Sequence, residues 1–157
     1  MEVAITDLRV GRLLVFLWLH TKNDPSDEEW ERAFDLMSTR RRREGVPFAD
    51  MRSLVISDGG APGGVQRVRI GREFPFKSSV ITTVLSNPVK RGIATALSWV
   101  NPRYFFGAPK DALRASEHLD LADQWDVMWP LFLQMQKQLP RNEALELVAT
   151  VLKRAVS

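Results

Sequence analysis

Cysteine is absent from the 157-residue chain, and histidine occurs only as His20 and His118. The first absence excludes disulfides, thiolate nucleophiles and cysteine-ligated zinc, and it fits a reducing compartment. The second excludes a multi-histidine metal site. Long apolar runs are missing too. The run LLVFLWL at 13–19 has seven residues, whereas a helix needs about 20 to cross the hydrocarbon of a bilayer. Glu2 and Asp7 precede that run and His20, Thr21 and Lys22 follow it, which does not match a signal peptide, so a soluble, cytoplasmic protein is expected. The nucleophile elbow G-x-S-x-G and the phosphate-binding patterns G-x-x-x-x-G-K-[ST] and G-x-G-x-x-G do not occur. No catalytic residue, metal ligand or cofactor is therefore assigned, and a hydrolytic triad of Ser57, a histidine and an aspartate is a weak reading.

What is present is ordinary in bulk and uneven in detail. With 45% hydrophobic and 26% charged residues, collagenous, coiled-coil and disordered classes fit poorly. The net charge of +3 conceals segments of opposite sign. Residues 1–39 carry 4 basic and 8 acidic groups, residues 40–91 carry 11 and 4, and residues 92–157 carry 7 and 7. The basic excess includes Arg40, Arg41, Arg42 and Arg43 in succession. Successive helical positions face different directions and no aromatic platform accompanies them, so a solvated helix end is favoured over nucleic-acid binding.

The apolar pattern predicts β-β-α-β-α-β-α-β-α followed by two helices. Residues 3–9 and 13–19 form a hairpin turned at Gly11 and Arg12, its second strand buried on both faces. Ser26 and Glu29 match a capping box, Trp30, Ala33, Phe34 and Met37 recur at helical spacing, and Gly45 is a left-handed stop. Strands follow at 51–57 and 79–85, separated by the loop DGGAPGG and a short helix with Val65, Val68 and Ile70. Asn87 and Pro88 start a helix with Val89, Ile93, Ala96, Leu97 and Val100 on one face. A short strand at 104–106 precedes a helix capped by Asp111 and carrying Leu113 and Leu119. This order implies an α/β fold with a mixed, mostly parallel sheet of four to five strands.

Beyond residue 120, Leu121, Trp125, Met128, Phe132, Met135 and Leu139 form an apolar seam, with Pro130 expected to kink or restart its helix. Leu145, Val148, Leu152 and Ala155 share a face of the last helix. The seam packs back on the sheet, or Trp125, Met128, Trp129 and Phe132 form a partner or homodimer surface, since such residues are enriched at interface hot spots. The division expected is 1–120 for the α/β domain and 121–157 for a two-helix extension.

The opening hairpin, SLVISD at 53–58 with its Gly-rich turn, SVITTVLSNP at 79–88, VKRGIATALSWV at 89–100 and YFFGAPKDALRASEHL at 104–119 resemble the STAS-like family related to bacterial anti-sigma-factor antagonists. The resemblance covers residues 1 to about 120. It implies a regulatory domain acting by protein–protein contact and switched by a serine phosphate near the turn after the second core strand. Here Ser57 is the hydroxyl nearest that turn, and Gly63, Gly64 and Val65 at the start of the next helix include no serine. The expected contact loop comprises Asp58, Gly59, Gly60, Gly63, Gly64 and Arg67. The leading expectation is a non-enzymatic interaction domain, its partner another protein or a second copy. The alternative is a small-molecule or lipid-binding module with an apolar pocket between sheet and helices, lined by Trp18, Trp30, Phe34 and Trp99.

Overall fold

A computed structural model of the chain describes residues 1–83 and 101–156. Five strands form one sheet in the order β1 (Val3–Val10), β2 (Leu13–His20), β3 (Met51–Ser57), β4 (Lys77–Thr82) and β5 (Tyr104–Gly107). β1 and β2 are antiparallel, and β2 to β5 run parallel. Gly11, with φ at 57°, makes the hairpin turn. Five α-helices are described: α1 (Asp27–Glu44), α2 (Gly64–Glu73), α3 (Ala112–His118), α4 (Trp125–Gln136) and α5 (Glu143–Val156). The fold is thus α/β with a mixed five-stranded sheet, as the order of elements predicts. The helix expected after Asn87 and Pro88, together with Trp99, lies outside the described residues.

The sheet is covered on both faces because β2 is buried along its whole length. Its alternation divides it between two cores. Leu13, Val15, Leu17 and Leu19 join Leu54, Ile56 and Ile81 under α3, α4 and α5. Leu14, Phe16 and Trp18 face the other way and join Trp30, Phe34 and Met37 of α1, with Phe74 and Phe76. The seam of α4 belongs to the first core: Leu121, Trp125, Met128, Phe132, Met135 and Leu139 are buried there with Leu145 and Val148 of α5. Residues beyond 120 therefore pack on the sheet.

Local chemistry explains the helix ends. Ser26 and Glu29 form the expected box, Glu29 N donating to Ser26 Oγ at 3.2 Å and Ser26 N to Glu29 Oε2 at 3.0 Å. At the other end of α1, Gly45 is left-handed, and the amides of Gly45 and Val46 return to Arg42 O and Arg41 O. Asp120, with φ at 61°, ends α3 the same way, and Leu121 N reaches back to Ser116 O. The buried Arg52 secures that turn by donating to Leu119 O at 3.0 Å and to the Asp120 carboxylate at 3.0 Å.

Three local expectations change. Asp111 precedes α3, but its carboxylate accepts from Ala108 N at 3.0 Å and caps no amide of the helix. Leu119 is buried in the core while Leu113 is exposed. Pro130 does not restart its helix, and α4 runs through it. Pro130 is on the exposed side, where the carbonyl that loses its amide partner can meet water.

Candidate functional site

Parallel register gathers the site. On the face toward α1 and α2, successive rows across the sheet are Ser53–Ser78–Tyr104, Val55–Val80–Phe106 and Ser57–Thr82, and β2 extends the last two with Trp18 and His20. Short serine side chains beside aromatic ones leave a depression. Together with Trp30, Phe34 and Met37 of α1, Ile70 of α2, and Phe74 and Phe76, these residues bound a cleft of about 520 Å³. That volume lies within the roughly 300–1,000 Å³ of small-molecule pockets. Burial pushes the Tyr104 phenol up, in keeping with a poorly solvated wall.

The last row, His20–Ser57–Thr82, sits at the carboxyl ends of the parallel strands and is polar. His20 is 3% exposed, its ring stacked on Trp18 at 6.0 Å and tilted against Trp30 at 5.5 Å. Desolvation lowers its pKa to about 4, against the opposing pull of Glu29 and Asp24, so the imidazole is neutral at neutral pH. Ser57 is also 3% exposed. Its hydroxyl donates to Gly60 O at 2.9 Å and accepts from Gly59 N at 3.0 Å. The serine proton is thus directed at the turn. Register brings His20 and Ser57 side by side without making them a nucleophile and its base.

The glycine-rich loop is tied into the structure. Asp58 reaches across to α5, accepting from Glu143 N at 2.9 Å and Ala144 N at 2.7 Å. Gly60 packs so closely on residues 21–23 that a Cβ would lie 2.3 Å from Asn23 O, and its amide donates to Thr21 O at 2.9 Å. Glycine there permits close backbone approach. Gly63, Gly64 and Arg67 are exposed at the rim, where Arg67 donates to Pro62 O at 3.0 Å.

The remaining predicted residues are elsewhere. Trp125, Met128 and Phe132 are buried on the opposite face of the sheet, and Trp129 is half-buried against them. His118 ends α3 and donates from Nε2 to Arg103 O at 3.0 Å. Arg40 pairs with Asp7 and Glu44, each at 3.0 Å, and Arg41 lies 4.3 Å over the Phe48 ring. These contacts use part of the arginine run internally.

Trp18, Trp30 and Phe34 were legible as cleft residues. Ser53, Val55, Ser78, Val80 and Thr82 were missed, although alternation along three adjacent parallel strands would have placed them on one face. No protein-family model matches the chain, and neither a curated protein nor a solved structure matches it.

Proposed function

We propose that this chain is a non-enzymatic binding module that holds a small, largely apolar molecule in the cleft between the sheet and helices α1 and α2. The observation that carries this reading is the concave, aromatic-walled cleft of about 520 Å³ with Ser53 and Ser78 as its floor. Ser57 supports the non-enzymatic part, since its hydroxyl is engaged by the turn. The test uses N-phenyl-1-naphthylamine, an uncharged dye whose emission rises in apolar surroundings. Saturable binding at one site is expected. Ser78→Phe, which fills the floor, should weaken it by about tenfold or more while the far-ultraviolet circular dichroism stays unchanged. Absence of saturable binding to the unmodified chain would end this reading.

One observation favours a second reading, contact with another protein through the edge that the STAS-like resemblance implies. Val65 is 80% and Val68 66% exposed on α2, a helix with no buried residue, beside Arg67 and Arg72. Apolar groups ringed by arginine suit a modest protein interface. Regulation through Ser57 would then require the turn at 58–60 to open before a phosphate could be added. A chain that binds no dye, yet loses a defined partner or its own dimer when Val65 and Val68 become Asp, would favour this reading over the first.

A further inference from the structure

Resting on the reading of the cleft as a ligand site, we propose that its occupant is an uncharged amphipathic molecule. Its apolar body lies along Trp30, Phe34 and Phe74, and a head bearing more than one oxygen lies at Trp18, His20 and Thr82. Among the described residues, four buried side-chain polar atoms lack a hydrogen-bond partner: Trp18 Nε1, His20 Nδ1, Arg40 Nε and Thr82 Oγ1. Arg40 has its other nitrogens paired. The other three residues all line the cleft. They are 4%, 3% and 8% exposed respectively, so little bulk water reaches them to make up the missing hydrogen bonds. Trp125, the buried indole on the opposite face, shows the usual arrangement, its Nε1 donating to Ser116 Oγ at 3.0 Å. The three residues with an unmade hydrogen bond are thus gathered on the wall of the cleft.

The chemistry of those atoms selects the head. An indole N–H can only donate, so it needs an acceptor, and a hydroxyl and a neutral imidazole can do either. An ammonium offers no lone pair to Trp18. A carboxylate would sit in the negative field that Asp24 and Glu29 already exert on His20, while Arg67, among the described residues the arginine that lines the cleft, stands exposed in solvent at its rim. An uncharged oxygen meets neither objection. His20 and Thr82 belong to strands separated by β3, so their backbones lie about 10 Å apart. One hydroxyl does not span that row, whereas an ester with a polyol head offers several oxygens.

Isothermal titration calorimetry with three ten-carbon probes below their micelle concentrations tests the assignment: 1-decanoylglycerol, decanoate and decyltrimethylammonium. The glycerol ester is expected to bind about fivefold or more tightly than either ion. Thr82→Val, which keeps shape and removes the hydroxyl, and Trp18→Phe, which removes the indole N–H together with part of the ring, should each weaken the ester by about fivefold. Equal affinity for all three, preference for decanoate, or an ester affinity indifferent to both variants would overturn the head-group assignment. Dye binding without ester binding would do the same while leaving the cleft reading intact. If the dye itself does not bind, the cleft reading falls and the head-group assignment falls with it.

Discussion

His20 ends β2 between two indole rings, and its desolvation has a consequence for stability. The unfolded chain protonates this imidazole near its ordinary 6.5, whereas the folded chain resists protonation until about pH 4. A depressed folded pKa means that its contribution is complete above pH 6.5 and is lost as the pH falls toward 4. The loss totals about 3 kcal/mol. Urea unfolding followed from pH 7.5 to 4.5 should therefore show stability falling with acid. His20→Phe keeps an aromatic ring in the stack and removes the titration. The difference between the two proteins across that window should grow as the pH drops. Parallel curves would show that the imidazole protonates as readily in the folded chain as in the unfolded one.

At the scale of elements, the start of α5 links both faces of the sheet. Its first three amides are taken by side chains: Glu143 N and Ala144 N by the Asp58 carboxylate, and Leu145 N by Asn142 Oδ1 at 2.9 Å. Asn142 also donates to His20 O at 2.7 Å, and Asp58 N donates to the same carbonyl at 3.1 Å. The strand ends beside the cleft and the helix behind the sheet are therefore joined at one point. A carboxylate here satisfies free amides and meets the positive end of the helix dipole. Asp58→Ala should lower stability by about 1–2 kcal/mol, read as a shift of the urea midpoint at constant slope, and Asp58→Asn by less, because an amide oxygen can still accept. An unchanged midpoint for Asp58→Ala would mean that the loop aspartate is free for another role. The glycines around Asp58 look from sequence like a flexible contact loop, yet Gly60 is held by a close backbone approach, and nothing in residues 58–64 alone announces segment 21–24 as its neighbour.

For the whole molecule, what could be read in advance follows from the range of the interactions. Capping at Ser26 and Glu29, the stop at Gly45 and the apolar seam from Leu121 to Leu139 are set by residues a few positions apart, and they appear as the pattern predicts. The cleft depends on pairing between strands more than twenty residues apart, so Ser53, Ser78 and Thr82 carry no local mark of a shared face. The role of the last helices is long-range in the same sense, because the seam alone suits a core or an interface. Packing decides between them. Trp125, Met128, Phe132, Met135, Leu139, Leu145 and Val148 are buried against the sheet, and fully burying each such side chain contributes roughly 1.5–3 kcal/mol. Together they supply on the order of 10–20 kcal/mol, comparable to or larger than the 5–15 kcal/mol net stability of a typical domain. Removing them would also uncover Leu13, Val15, Leu17, Leu19, Leu54 and Ile56 on β2 and β3, the part of this face that α3 does not cover, and such a surface promotes aggregation. A chain ending at residue 120 should therefore be recovered as aggregate or as a loosely packed species without a cooperative urea transition. A soluble 1–120 fragment with a sharp transition would show that the sheet is stable with α3 as the cover of that face, and would make the seam available for contact with another chain.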